Sequence, residues 1–220
     1  LAMRLGDTSM VYGIDPWTAA IERTKRKIAY YGIKNITLVE GVAESIPLED
    51  ECIDLIVSNN GLNNVQDLEK VLSECSRISK PGCQFVMTMN LDKTMFEFYD
   101  QLELVLMEKN MEKEIQSMRR HIYEKRRPLE EMISMLQHFG FMVKTVDHDM
   151  FKYQFADSTS MFNHYFIRMA FMNSWVQLLP LDKVDEIFEI VEIRLNEIAL
   201  RSGGIKLSVP FVVISALKKV

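Results

Sequence analysis

The chain has 220 residues, of which 48% are hydrophobic and 26% are charged, which is enough for one domain with a sizeable core. Its formal net charge of −5 gives no bulk electrostatic reason to bind nucleic acid or an anionic membrane surface. No apolar run approaches the ~18 residues of a membrane span, and no signal-peptide pattern is visible. Cysteines 52, 75 and 83 include no closely spaced pair, which argues against a disulfide framework and a zinc site and favours a reducing, cytoplasmic setting.

Strands and helices alternate over residues 10–90. Near-continuous apolar runs predict strands, and the predicted strands are Met10–Asp15, Ile36–Val39, Ile53–Ser58 and Gln84–Met89. Apolar residues at helical spacing predict helices at Thr18–Tyr31, closed by Gly32, and at Asp67–Ile78, stopped by Pro81-Gly82. This alternation is typical of parallel strands joined by crossover helices, so the fold class is α/β.

Longer helical segments follow. The pattern predicts one long, charged helix over 94–125, another opened by Pro128, and an amphipathic helix over 181–201 that ends at Gly203-Gly204. It also predicts strands at 141–146 and 207–217, separated by a polar and aromatic stretch. Basic runs at 24–27 and 119–127 lie among acidic residues, and we interpret both as solvated helix faces.

Polar groups follow three of the predicted strands. Asp15 ends the first strand, residues 40–44 follow the second and residues 58–60 follow the third. In open α/β sheets, ligands bind beyond the carboxyl ends of the strands. A carboxylate there can accept two charge-assisted hydrogen bonds from a ribose diol, which would place Asp15 against the sugar of a nucleoside. The alternative is that Asp15 caps the following helix, with Pro16 in its first turn.

The order of three motifs resolves this choice. They are VYGIDPW at 11–17, GVAESIPLEDECIDLIVSNN at 41–60 and SKPGCQFVMTMN at 79–90. Together they resemble the class I S-adenosylmethionine-dependent methyltransferases, in particular the ubiquinone/menaquinone methylases that act on small molecules. The resemblance implies a Rossmann-like open sheet, mostly parallel with an antiparallel last strand, plus helical insertions.

The resemblance also assigns the parts of one domain over residues 1–220. Residues 1–92 would bind the cofactor, 93–140 would form a helical segment, 147–204 a helical cover over the acceptor pocket, and 205–220 the final strand. The implied cofactor is S-adenosyl-L-methionine, and Asp15 would hold its ribose. The other implied cofactor-binding residues are Pro16, Trp17, Val42, Ala43, Glu44, Asn59 and Asn60.

The chain departs from the family pattern in two places. No G-x-G-x-G loop occurs in the 220 residues, and residues 1–9 resemble the end of the helix that follows that loop. We therefore expect neighbouring strand edges to be left unpaired, and hypothesise that the sequence is an incomplete record. Val42 stands where the family usually has Asp, so it cannot bond the adenine amino group, and backbone groups of Ala43 or the Glu44 side chain would have to compensate.

The acceptor side is less specific in sequence. A methyl acceptor that needs a general base would take it from His164, with Tyr165 beside it, and Tyr153 is a weaker candidate. The aromatic and Met-rich stretch at 150–175 suits an apolar pocket for a small molecule, or a plain helical cover. Two uses stay open for the helix at 94–125, which are a homodimer contact and a lid over the site.

Two other functions compete with methyl transfer. A methyltransferase-like fold without catalysis, serving as a binding or assembly protein, would account for the missing loop and for Val42. A nicotinamide-dependent dehydrogenase also places an acidic residue at a strand end, but the AESIP loop and the Lys80-Pro81-Gly82 turn fit it poorly.

Overall fold

A computed structural model of the chain describes residues 1–219. The strands are β1 (Val11–Asp15), β2 (Ile36–Glu40), β3 (Ile53–Asn59), β4 (Ser79–Asn90), β5 (Phe141–Phe155) and β6 (Ile205–Lys218). The longer helices are α2 (Thr18–Tyr31), α3 (Leu68–Ile78), α4 (Phe96–Glu108), α5 (Glu112–Lys125), α6 (Leu129–His138) and α10 (Val184–Ser202). The short helices are α1 (Ala2–Leu5), α7 (Ser158–Asn163), α8 (Tyr165–Ile167) and α9 (Asn173–Val176).

The chain divides into two compact units. The first unit contains residues 1–86, 134–144 and the chain from Ser215 onward, and the second contains 87–133 and 145–214. In the first unit, β1 and β2 form a parallel two-stranded sheet whose register runs from Val11 opposite Ile36 to Asp15 opposite Glu40. A four-stranded sheet has the order β3-β4-β6-β5, and its strands β4, β5 and β6 contribute residues to both units.

The last strand is antiparallel to its neighbours. Gln84 Nε2 donates to Ser215 Oγ over 3.1 Å, and the Leu91 N–H donates to the Pro210 carbonyl over 2.9 Å. Numbers therefore rise along β4 as they fall along β6. The Lys219 N–H likewise bonds the Gly140 carbonyl, just before β5 begins. The prediction of an antiparallel last strand in a Rossmann-like α/β sheet is confirmed.

Four strands keep one unpaired edge within residues 1–219. In the two-stranded sheet, β1 and β2 have only each other as hydrogen-bonded neighbours, and in the four-stranded sheet β3 has only β4 and β5 has only β6. Backbone N–H and C=O groups on such an edge lack a strand partner. The expectation that the sheet would contain unpaired edges is confirmed.

Three predicted elements have different bounds. The single helix over 94–125 is wrong, because α4 ends at Glu108 and α5 begins at Glu112. The break needs neither Gly nor Pro: Asn110 adopts a φ of 57° in the turn, a conformation that Asn tolerates. Strand β4 includes Pro81-Gly82, which we had placed in a turn, and β5 continues to Phe155 through an exposed, polar stretch.

The second unit is built on an aromatic core between α4, α10 and the short helices. The Phe98 and Trp175 rings are fully buried and stack with centroids 3.9 Å apart. Trp175 Nε1 donates a hydrogen bond to the Tyr99 hydroxyl over 3.0 Å, which satisfies the buried indole N–H. The inward stripe of α10 packs on this cluster through Ile187, Val191 and Leu195.

In the first unit, α3 anchors the loop that follows β2. Arg77 donates from Nη1 to the Leu48 carbonyl and from Nη2 to the Ile46 carbonyl, each over 2.8 Å. The Glu74 carboxylate accepts from Arg77 Nε over 2.8 Å and from the Ile46 N–H over 2.7 Å. The loop between β2 and β3 is therefore held by side chains on one helix, although it has no regular structure of its own.

Two leucines on α10 test the assignment of the core. Leu195 is 1% exposed and Leu200 is 87% exposed on the same helix. Leu195→Ala should lower the free energy of unfolding by about 2–5 kcal/mol, because it leaves a cavity in the aromatic core. The matched Leu200→Ala variant should change it by less than about 0.5 kcal/mol. Urea denaturation of both variants measures the difference, and equal effects would contradict the described packing.

The anchor on α3 predicts a pH dependence. The hydrogen bond from Arg77 lowers the pKa of the Glu74 carboxyl below its ordinary 4.5, and partial burial opposes this only in part. The carboxylate therefore stabilises the fold fully above that value, and its contribution disappears as the pH falls through the lowered folded pKa. Glu74→Gln should be less stable than wild type at neutral pH, and the difference should shrink at an acid pH below 4.5.

Denaturation of wild type and Glu74→Gln at both pH values measures this difference. The matched control is Glu69→Gln, a change at an exposed carboxylate on the same helix. We expect the control to follow wild type at both pH values. A Glu74→Gln deficit that stays constant down to acid pH would mean that the charge of Glu74 does not hold the loop.

Candidate nucleoside site

The ends of β1 and β2 lie together at one edge of their sheet. The Gly41 N–H donates to the Asp15 carbonyl over 3.1 Å, one residue beyond the last register pair. Thr18, in the first turn of α2, donates from Oγ1 to the Glu40 carboxylate over 2.6 Å. These bonds bring two of the predicted strand ends, and the chain that leaves each of them, into one place.

Asp15 uses one carboxylate oxygen locally. Oδ1 accepts a hydrogen bond from the Trp17 N–H over 2.8 Å. Trp17 is the N-cap residue of α2, and its side chain makes no capping bond. Among the described residues no hydrogen bond to Asp15 Oδ2 is observed, and the side chain is half-buried. The alternative role of Asp15, capping the following helix, therefore accounts for Oδ1, and Oδ2 is left for a ligand.

Exposed apolar residues lie close in the chain to the two strand ends. Trp17, 72% exposed, comes two residues after Asp15, and Val42, 47% exposed, follows Gly41, whose N–H bonds the Asp15 carbonyl. Pro16 is exposed as well, and Ala43 is half-buried. A nucleoside has a ribose diol, which a carboxylate can bind, and a flat base, which packs on apolar side chains. These residues therefore fit the nucleoside part of S-adenosylmethionine.

Glu44 has a structural task in the loop. Its Oε1 accepts from the Gln66 N–H over 2.8 Å and from the Asp67 N–H over 3.3 Å, just before α3. Burial raises the pKa of the Glu44 carboxyl, but hydrogen bonds from backbone N–H groups, including those of Gln66 and Asp67, outweigh burial and lower it. Glu44 therefore stays ionised, and this oxygen is already engaged by the protein.

Asn59 is the last residue of β3, and Asn60 follows it where the chain bends. Asn60 has a φ of 55°, and its carbonyl accepts from Asn64 Nδ2 over 3.2 Å. A Cβ at Gly61 would lie 2.9 Å from the Ser58 hydroxyl oxygen, so a larger residue there would require that hydroxyl to move. Asn59 is exposed and Asn60 half-buried, so this bend presents at least one amide to solvent.

The predicted acceptor-side residues belong to the second unit. His164 is exposed, and its Nδ1 accepts from the Phe166 N–H over 3.3 Å at the start of α8. A neutral imidazole that accepts at Nδ1 carries its proton on Nε2. Tyr165 is exposed, whereas burial raises the pKa of the half-buried Tyr153. His164 thus has a local capping role, and it would need to release Phe166 to accept a proton at Nδ1.

Other chemistries find little support among the described residues. No group of three or more His, Cys, Asp or Glu side chains there is arranged to hold a metal ion. The three cysteines are free thiols, and burial raises the pKa of Cys75 to about 12, so it is not a thiolate at neutral pH. No described helix is both long and apolar enough to cross a membrane.

Sequence reasoning missed one unusual residue in the second unit. We interpreted the basic run 119–127 as a solvated helix face, and this is wrong for Arg126, which is only 6% exposed. Pro128, two residues later in the sequence, marks the end of the helical face, but it gives no indication that Arg126 is buried. Periodicity alone gave no reason to bury it.

Comparison with known proteins agrees with this geometry. Residues 1–87 match the family described as methyltransferase domain. A demethylmenaquinone methyltransferase of Bacillus mycoides is 33% identical over 98 residues, which cover 44% of this chain and 41% of that protein. The chain thus matches less than half the length of this curated relative.

Solved structures share the fold over nearly the whole chain. The YcgJ protein of Bacillus subtilis aligns with a TM-score of 0.61 at 16% identity, covering 96% of this chain and 83% of that one. The [4+2]-cyclase SpnF aligns with a TM-score of 0.55 at 13% identity, covering 100% of this chain and 70% of its own. At such identities the likeness concerns the fold alone. Over residues 1–87 the chain is similar to the methyltransferase-domain family, and over 98 residues it is similar to a demethylmenaquinone methyltransferase.

Proposed function

We propose that this protein transfers a methyl group from S-adenosyl-L-methionine to a small-molecule acceptor. The observation that carries the proposal is the second carboxylate oxygen of Asp15 at the end of β1, with the exposed Trp17 two residues later and the exposed Val42 next to Gly41, which bonds the Asp15 carbonyl. The match of residues 1–87 to the methyltransferase-domain family supports it.

Each side chain at this edge has a role in the proposal. Asp15 accepts hydrogen bonds from the ribose diol, and the Trp17 ring borders the adenine, with Pro16 beside it. Val42 and Ala43 form the opposite apolar border, and Glu44 keeps their loop on α3. Asn59 and Asn60 present amide groups towards the cofactor and the acceptor.

Methyl transfer requires no covalent bond between the protein and the substrate. The cofactor supplies a methyl group on a sulfonium, whose leaving group is a neutral thioether. The chain's residues need only hold the nucleoside and align the acceptor, and alignment can lower a barrier by about 7–11 kcal/mol. Where the acceptor must lose a proton, His164 and Tyr165 are the proposed bases, and His164 would first release the Phe166 N–H.

The cellular setting is part of the proposal. Free thiols at Cys52, Cys75 and Cys83 suit a reducing compartment, so we place the protein in the cytoplasm. Its net charge of −5 favours a small molecule over nucleic acid or an anionic membrane as its partner. A homodimer contact through α4 and α5 stays a prediction.

Titration with S-adenosylhomocysteine by calorimetry tests the nucleoside site. We expect micromolar binding, and Asp15→Ala should weaken it at least about tenfold, because it removes a charge-assisted acceptor. Asp54→Ala is the matched control, since Asp54 is an exposed β3 carboxylate paired with Lys80 over 2.9 Å. The control should bind as wild type does.

Two results would contradict this proposal. Equal binding by Asp15→Ala and Asp54→Ala would remove Asp15 from the site. Binding of NADH in place of S-adenosylhomocysteine would favour a dehydrogenase, and binding of neither would favour a protein that uses this fold without catalysis.

Val42 allows a gain-of-affinity test. In the related methylases an Asp usually stands at this position and reaches the adenine amino group, and Val42 cannot make that bond. Val42→Asp should therefore tighten S-adenosylhomocysteine binding by about fivefold to tenfold, the value of one added hydrogen bond. Val57→Asp, at another half-exposed valine in β3, is the control and should give no gain. Weaker binding by Val42→Asp would mean that the adenine lies elsewhere.

A further inference from the structure

Arg126 is a buried cation in the second unit. It is the C-cap residue of α5 and is 6% exposed. Its Nη1 atom is fully buried and has no hydrogen-bond partner among residues 1–219. Its Cζ atom lies 5.5 Å from the centroid of the Tyr99 ring, so the aromatic face is the contact that the structure gives this charge.

Two neighbouring arginines form ion pairs with carboxylates, whereas Arg126 does not. Arg120 lies 4.0 Å from Glu124, and Arg127 lies 3.8 Å from Glu131. In the part of the chain that the structure describes, no ion pair to Arg126 is observed. A guanidinium cannot lose its proton to avoid burial, and a buried charge without a partner is strongly unfavourable. A ligand anion would supply the missing partner.

The groups around Arg126 define the kind of anion. The Tyr99 hydroxyl accepts from Trp175 Nε1, so its own proton is left to donate to an acceptor. The Trp175 ring stacks with Phe98 at a centroid distance of 3.9 Å and with Phe171 at 5.6 Å. Phe171 lies in a π-helical turn, Arg168–Met172, an irregularity that is common at functional sites. The charge therefore lies over the ring of Tyr99, which belongs to the buried aromatic cluster.

We propose that Arg126 binds the carboxylate of a small aromatic acid, with the Tyr99 hydroxyl as a second donor. The planar guanidinium matches a carboxylate in a two-pronged hydrogen-bonded pair, and the aromatic cluster matches the ring that carries it. If the proposed function is correct, this acid is the methyl acceptor, and only that assignment rests on the proposed function. Binding of the anion itself requires no cofactor.

Fluorescence titration without cofactor tests the anion site. A Trp17→Phe background leaves Trp175 as the single tryptophan of the chain's two, so its emission reports on the cluster. Sodium benzoate should change the emission saturably, and neutral benzamide should bind at least tenfold more weakly. Arg126→Met should abolish the benzoate response, and Arg126→Lys should keep part of it. Arg127→Met, at the adjacent residue paired with Glu131, is the matched control and should respond as the background does.

Thermal unfolding separates binding from a structural role. Without ligand, Arg126→Met should melt at the same temperature as the background or higher, because it removes an unpaired buried charge. Benzoate should raise the melting temperature of the background but not that of Arg126→Met. Equal binding of benzoate and benzamide would overturn the proposal. So would an undiminished benzoate response in Arg126→Met or, if that variant does not fold, in Arg126→Lys.

The two proposals fail in different ways. A benzoate response that depends on Arg126, together with no binding of S-adenosylhomocysteine, would support the anion site and contradict methyl transfer. Binding of S-adenosylhomocysteine that depends on Asp15, with no benzoate response, would support the nucleoside site and contradict the binding of an aromatic acid.

Discussion

The parallel pairing of β1 with β2 is the constraint on which the candidate site depends. Parallel strands end at the same edge of a sheet, so pairing Asp15 with Glu40 puts the chain that leaves each strand in the same place. The bond from the Gly41 N–H to the Asp15 carbonyl extends that register by one residue. A shift of the register would move residues 41–44 along the sheet edge and away from the end of β1.

One arginine in each unit is at least partly buried, and the two differ in their partners. In the first unit Arg77 is paired with Glu74 and Asp50, and its charge organises a loop that has no backbone ladder of its own. In the second unit Arg126 is more deeply buried and faces an aromatic ring rather than a carboxylate. A paired guanidinium stabilises its surroundings, whereas an unpaired one costs stability until an anion arrives. The same residue type therefore indicates a structural anchor in one unit and a recognition site in the other.

Fold and activity are separate questions for this chain. SpnF shares the fold over the whole chain and is a [4+2]-cyclase, so the sheet and helices leave the reaction open. The side chains at the strand ends narrow the choice, since a carboxylate beside exposed apolar surface suits a nucleoside. The glycine-rich loop of the related methylases does not occur in this sequence, so the proposed contacts concern the nucleoside rather than the methionine part of the cofactor.

Local signals in the sequence were sufficient to predict several of the elements and one binding residue. Apolar runs and helical spacing were enough for β1, β3, α2 and α3, and the acidic strand end with its motif order was enough to propose a nucleoside at Asp15. Tertiary structure decided what depends on partners distant in the chain. The break at Asn110, the long exposed β5 and the engagement of Glu44 by Gln66 carry no local signature. The burial of Arg126 against Tyr99 is of the same kind, because only packing determines whether a charge that ends a helix meets water or a ring.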